Sequence, residues 1–152
     1  METKTLKIEV PNGYEIDKEK STFENIVFKK VDEVVIKWDK KYNGVEIKAD
    51  GEHFLLSGSP NYNMTWTEAM RFYSEVQFYK LPTIKQLQVV YKYFDKINEV
   101  IKENGGFVLT KSVYWCIEQY DEFCALSVNM CNGDVRRYLT GNITSIRAVV
   151  TL

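Results

Sequence analysis

The sequence predicts an α+β protein, and three observations carry that prediction. Asp50-Gly51 and Asn132-Gly133 each separate two strand-like runs, the strongest short-range signal for a β-hairpin. Thr65 with Glu68, and Thr83 with Gln86, have capping-box spacing and open stretches with apolar residues at helical intervals. Those stretches end at Asn104-Gly105-Gly106, and strand-like runs rich in β-branched residues lie on both sides of them. The expected architecture is two principal helices and a twisted antiparallel sheet. A β-rich amino-terminal segment over residues 1–44 precedes it and packs on the main domain, residues 45–152.

The elements follow in order. Leu6, Ile8 and Val10 alternate with polar residues, as in a half-buried strand, and Pro11-Asn12-Gly13 turns the chain. Ser21 to Glu24 has the spacing of a short capped helical turn. Ile26 to Val31 and Val34 to Trp38 read as strands, and Val45 to Ala49 pairs with Glu52 to Leu56 about Asp50-Gly51. A loop over Ser57 to Asn63 leads to the first helix, whose buried stripe is Trp66, Ala69, Met70 and Tyr73. Leu81-Pro82-Thr83 breaks the chain and starts the second, with a stripe of Ile84, Leu87, Tyr91 and Phe94. At Asp95 the helix restarts or continues through Ile97, Val100 and Ile101.

The stretch Ser112 to Val150 carries the most detail. A two-residue type I′ turn at Asn132-Gly133 pairs Met130 with Val135, Asn129 with Arg136, Val128 with Arg137, Ser127 with Tyr138, and Leu126 with Leu139. Alternation then places Leu126, Val128, Met130, Val135 and Leu139 on a core face, Arg137 being the exception. Ser127, Asn129, Arg136, Tyr138 and Thr140 fall on the opposite face, a polar and aromatic surface suited to contact. Trp115 is expected to be a core anchor, and Arg136 and Tyr138 to be functional.

Composition limits the function classes. The chain is 45% hydrophobic and 27% charged, as an ordinary globular domain is, with 14% aromatic residues. A net charge of −1 gives no overall field for nucleic acid, and Lys29-Lys30, Lys40-Lys41 and Arg136-Arg137 are the only basic pairs that favour it. Nucleic acid is therefore not an expected partner. Met1-Glu2-Thr3-Lys4 lacks the apolar core of a signal peptide, and no run is long enough to span a bilayer, so a cytoplasmic location without membrane insertion is expected. Cys116, Cys124 and Cys131 form an odd set without a CxxC pair, which favours free, small apolar thiols over a zinc site. His53 is the only histidine, beside the Asp50-Gly51 turn, and no nucleophile motif surrounds it. No metal or other cofactor is expected.

Several motifs together resemble one superfamily. Met64-Thr65-Trp66-Thr67-Glu68-Ala69-Met70 is similar to its "tW-eA" helix start. Leu81-Pro82-Thr83 with Gln86-Leu87 resembles its "LPT--EL" helix, Tyr114-Trp115 its "YWSS" strand, and Arg147-Ala148-Val149 its terminal "VRAV". The resemblance, over roughly Val45 to Leu152, is to the C-type-lectin-like fold in its sulfatase-modifying-factor, or formylglycine-generating-enzyme-like, branch. Within that branch the chain looks most like small phage and gut-bacterial domains of unassigned function, with diversity-generating-retroelement variable proteins among their relatives. Thr5 to Val31 also looks like an amino-terminal extension met in such proteins.

The departures from the family matter. Cys116 and Ile117 stand where it commonly has two serines, and the three cysteines do not reproduce the copper-binding pair of the formylglycine-generating enzymes. The proline-centred carbohydrate triplet and the "WND" strand of calcium-dependent lectins are absent from the sequence. The resemblance implies non-enzymatic ligand recognition on the carboxy-terminal hairpin and loops, in a phage or mobile-element setting. The surface would comprise Glu118, Gln119, Tyr120 and Phe123 in a loop, with Ser127, Asn129, Arg136, Tyr138 and Thr140 on the hairpin. It would take a protein or a surface glycan, in the cytoplasm or on a virion, with homo-oligomerisation also open. The competing readings are a drifted sulfatase-modifying enzyme and an intracellular regulator that binds a host protein.

Overall fold

The computed structural model describes residues 7–152, and the chain divides into two units between Glu33 and Val34. In the first unit, β1 (Tyr14–Ile16) pairs antiparallel with β2 (Phe28–Lys30). The Tyr14 amide donates to the Pro11 carbonyl across the predicted turn. Ile8 and Val10 are exposed and not in a strand, because β2 takes β1 as its partner instead; Leu6 lies outside the described residues. The helical turn expected at Ser21 to Glu24 is absent. Ser21 Oγ accepts from the Val27 amide at 2.8 Å, which ties the segment across to Val27.

The second unit is mixed α+β. Among the described residues the whole chain has three helices and eleven strands. β3 (Val35–Asp39), β4 (Gly44–Ala49), β5 (Glu52–Ser57) and β11 (Val149–Thr151) form a four-stranded sheet in the order β11-β5-β4-β3. β3, read from sequence with the amino-terminal segment, thus belongs to the main sheet. The β4–β5 hairpin closes on Asp50 and Gly51 at φ of +52° and +81°, as a type I′ turn requires.

β6 (Tyr62–Thr65), β7 (Val113–Gln119), β8 (Cys124–Asn129), β9 (Val135–Leu139) and β10 (Ile143–Ile146) form the second sheet, in the order β6-β10-β7-β8-β9. It is antiparallel except where β10 runs parallel to β7.

The helices are α1 (Trp66–Glu75), α2 (Ile84–Lys92) and α3 (Phe94–Glu103), three where the sequence predicts two. The break is Tyr93, whose φ and ψ of −109° and 24° leave the helical region and let the chain restart at Phe94. Both predicted capping boxes form, with the Thr65 and Thr83 hydroxyls each accepting the amide three residues on. The α2 stripe is rotated from its expected position. Gln86, Leu87, Val89 and Val90 are buried while Tyr91 is exposed, because the Gln86 amide is used internally, bonding the Thr83 amide and the Thr151 hydroxyl.

The core lies in two clusters on opposite faces of the five-stranded sheet. Tyr114, Cys116 and Val128 pack with Leu87 and Val90 of α2, Ile97 and Ile101 of α3, and Val45, Ile47, Phe54 and Leu56 of the other sheet. Trp115, Ala125 and Ile146 point the other way and meet Ala69, Trp66 and Met70 of α1. The central strands are therefore buried on both faces, which leaves little of them for contact with a partner.

Candidate functional site

The carboxy-terminal hairpin forms, but with a longer turn than Asn132-Gly133 predicts. Val128 pairs with Val135, Ser127 with Arg136, Leu126 with Arg137, Ala125 with Tyr138, and Cys124 with Leu139. The register is shifted, and five residues, Met130 to Asp134, connect the strands. The cause is non-local. The Met130 side chain is drawn into the core and its amide bonds the Ser112 carbonyl at 2.9 Å. Asn129 then organises the turn: its side chain accepts from the Cys131 amide, and its carbonyl from the Gly133 amide. Gly133, at φ +78°, packs so closely on the Tyr91 ring that a Cβ there would lie 2.6 Å from it.

Face parity survives this shift: Leu126, Val128 and Met130 lie against the core as expected, but the opposite face is not a free surface. Ser127 is 0% exposed and its hydroxyl donates to the Arg136 carbonyl, so it belongs to the interior. Tyr138 is half-buried, edge-to-face with Trp115 at 6.3 Å between centroids. Asn129 is spent on the turn, and Thr140 is half-buried, its amide donating to the Phe123 carbonyl. Of that expected surface, Arg136 alone is exposed, beside Asp134. Val135 and Leu139, expected in the core, are exposed instead. The physical reason is position: β9 is an edge strand, and α2 packs on β7 and β8.

Glu118 is also committed to the fold. Strand β7 continues through Gln119, and the Glu118 carboxylate accepts the Ile84 amide at 3.1 Å in the first turn of α2. A carboxylate there complements the amino-terminal end of the helix dipole. Glu118→Gln is expected to lower stability by about 0.5–1 kcal/mol in urea unfolding and to leave partner binding unchanged. Lost binding at unchanged stability would make Glu118 a contact residue instead.

What remains exposed is a compact set at one end of the sheet. The Arg137 guanidinium carbon lies 5.0 Å from the centroid of the Tyr120 ring, and both residues are exposed. Asp121 closes the loop between β7 and β8, its carboxylate accepting the amides of Phe123 and Cys124. That turn leaves Phe123 66% exposed, with Leu139 56% and Tyr120 54% exposed, and Gln119 exposed as well. Arg137 and Leu139 were missed as site residues by sequence reasoning. The available signal was the arginine itself, a misfit on an otherwise apolar face.

Elsewhere the titratable groups serve the scaffold. Glu46 accepts from His53 at 2.9 Å and pairs with Lys37 at 3.3 Å, and the His53 hydrogen bond holds its pKa below the usual carboxylate value. The three cysteines are unpaired and sit in different surroundings. Cys116 is buried, Cys124 half-buried and Cys131 exposed, its thiol donating to the Lys111 carbonyl. Burial, followed by the charge of Glu118, pushes the Cys116 thiol well above its ordinary pKa. No group of three or more His, Cys, Asp or Glu residues is placed to hold a metal ion among the described residues. No helix there is long and apolar enough to cross a membrane. No family model matches the chain, and no curated protein matches it.

Proposed function

We propose that the chain is a non-enzymatic recognition domain of C-type-lectin-like type, and that β9 and the loop Tyr120 to Phe123 contact a protein partner. The observation that carries the reading is the exposed Arg137–Tyr120 stack with Phe123 and Leu139 exposed alongside. Tyrosine and arginine are among the residue types most enriched at interface hot spots, and a stacked pair loses less side-chain freedom on binding than two free side chains. The environment of Cys116 also favours recognition over thiol chemistry, since thiolate is the reactive form and burial disfavours it. In the phage or mobile-element setting that the resemblance implies, the partner would be a cell-surface or virion component.

A surface glycan is the second reading, carried by a different feature. A shallow groove of about 330 Å³ is lined by Asn63, Ser112, Tyr138 and Ser145, among others. It offers an aromatic ring together with amide and hydroxyl groups that can bond sugar hydroxyls.

The test compares immobilised wild-type chain with the Tyr120→Ala, Arg137→Ala double variant. Each is incubated with solubilised bacterial envelope proteins, with captured proteins quantified by mass spectrometry, and each is applied to a glycan array. Stability should change by only about 0.5 kcal/mol, while capture of the enriched protein should fall by roughly tenfold or more. Undiminished protein capture by a folded double variant would refute the β9 surface. Array binding that persists in this variant but is lost in Tyr138→Phe would favour the groove.

A further inference from the structure

The carboxy-terminal Arg147 poses a separate problem, independent of the β9 surface. It is 1% exposed, yet none of the ion pairs among the described residues involves it. Its hydrogen bonds all go to neutral oxygens. Nε and Nη2 donate to Asn61 Oδ1 at 3.0 and 2.8 Å, Nη2 also to the Val108 carbonyl at 3.2 Å, and Nη1 to the Ser57 carbonyl at 2.9 Å. A guanidinium has five N–H donors, so one on Nη1 is left uncommitted by these bonds. Burial lowers its pKa to about 10, so it remains protonated at neutral pH. The result is a buried positive charge without a counter-ion among the described residues, a costly arrangement in a medium of low polarity.

A cavity of about 240 Å³ adjoins this charge, with Arg147 in its lining. Tyr73 and Ser59 bring hydroxyls to the same space, and Phe72, Val76 and Ile146 bring apolar surface. Burial pushes the Tyr73 phenol up to about 12, so it is a neutral O–H donor at physiological pH. We infer that this cavity binds a small monocarboxylate bearing an apolar group, its carboxylate directed to Arg147 and Tyr73 and its apolar part against Phe72, Val76 and Ile146. A single negative charge balances a single guanidinium. A phosphate dianion would overbalance it and lose more hydration in a largely apolar pocket. The volume is below the roughly 300 Å³ at which sites for drug-sized ligands begin, which limits the ligand to a small acid.

The experiment uses the full chain with phenylacetate, its uncharged isostere phenylacetamide, and inorganic phosphate at matched ionic strength, followed by thermal unfolding and calorimetric titration. Phenylacetate at millimolar concentration is expected to raise the melting temperature saturably, because a ligand that binds only the folded state stabilises it. Phenylacetamide should bind about tenfold more weakly or worse, and phosphate, whose second charge stays uncompensated in the pocket, should show no saturable effect. Tyr73→Phe, which removes only a hydroxyl, should weaken phenylacetate by about tenfold. Val76→Phe, which narrows the cavity without touching Arg147, should abolish binding. Equal binding of acid and amide, saturable binding of phosphate, no binding of phenylacetate, or folded Tyr73→Phe or Val76→Phe variants with wild-type affinity would each overturn the assignment.

Discussion

Replacing Trp115 with alanine is expected to lower stability by about 3–5 kcal/mol and the melting temperature by about 10–15 °C. The indole is fully buried and meets Ala69, Leu81, Ala125 and Ile146, with Tyr138 edge-on to it. Its N–H donates to the Met64 carbonyl at 3.1 Å. Met64 lies on β6 and Trp115 on β7, and β10 runs between those two strands. The side chain thus reaches across a strand and holds both of its neighbours. Truncation opens a cavity and also strands a carbonyl acceptor, and the two costs add. Such a loss is a large part of the roughly 5–15 kcal/mol that keeps a typical domain folded. Circular dichroism during heating would measure it. A loss below about 0.5 kcal/mol, within the range of surface substitutions, would mean that the site closes over the missing ring and that Trp115 is not an anchor.

Arg147→Lys is expected to cost roughly 3 kcal/mol, and more than Arg147→Met. The planar fork of Arg147 joins Asn61, Ser57 and Val108 at once. Lysine brings the same charge into the same apolar surroundings but cannot reproduce that geometry, so acceptors go unpaired while the desolvation cost stays. Methionine also leaves the acceptors unpaired, but it removes the buried charge and recovers part of the loss. The ranking wild type, then Met, then Lys in urea unfolding is the expected result. A lysine variant at least as stable as the methionine variant would show that the charge itself costs little there.

Sequence reading succeeded where structure is decided locally. The Thr65 and Thr83 capping boxes each involve residues three apart, and the Asp50-Gly51 turn needs only two positive φ values. The second Asx-Gly pair carries the same local signal, yet Met130 is claimed by a distant core and by Ser112, and that contact outweighs the two-residue turn. Exposure along the two strands was misassigned in part for a related reason, although Leu126, Val128 and Met130 do lie against the core. Alternation shows that Ser127 and Leu139 point to opposite sides, but not that β8 is central and β9 an edge. The pair β10·β7 was hidden as well, since a parallel neighbour leaves no turn signal in the sequence. Of the expected contact residues, Gln119, Tyr120, Phe123 and Arg136 are exposed. Glu118, Ser127, Asn129, Tyr138 and Thr140 are instead bound up in a cap, a turn or the core.

The placement of β10 and β11 has a consequence for how the protein is made. Residues 143–146 enter between β6 and β7, and residues 149–151 complete the edge beside β5, so one short stretch finishes both sheets. Synthesis proceeds from the amino terminus, and β5 and β6 leave the ribosome long before the stretch that will join them. Until then β5 and β6 have unpaired backbone edges, the feature that invites association with other chains. Pairings this distant in sequence also close slowly. The nascent chain is therefore most exposed to chaperones and to aggregation in the interval before residues 143–151 emerge, and a ribosome stalled just short of them would hold both sheets open.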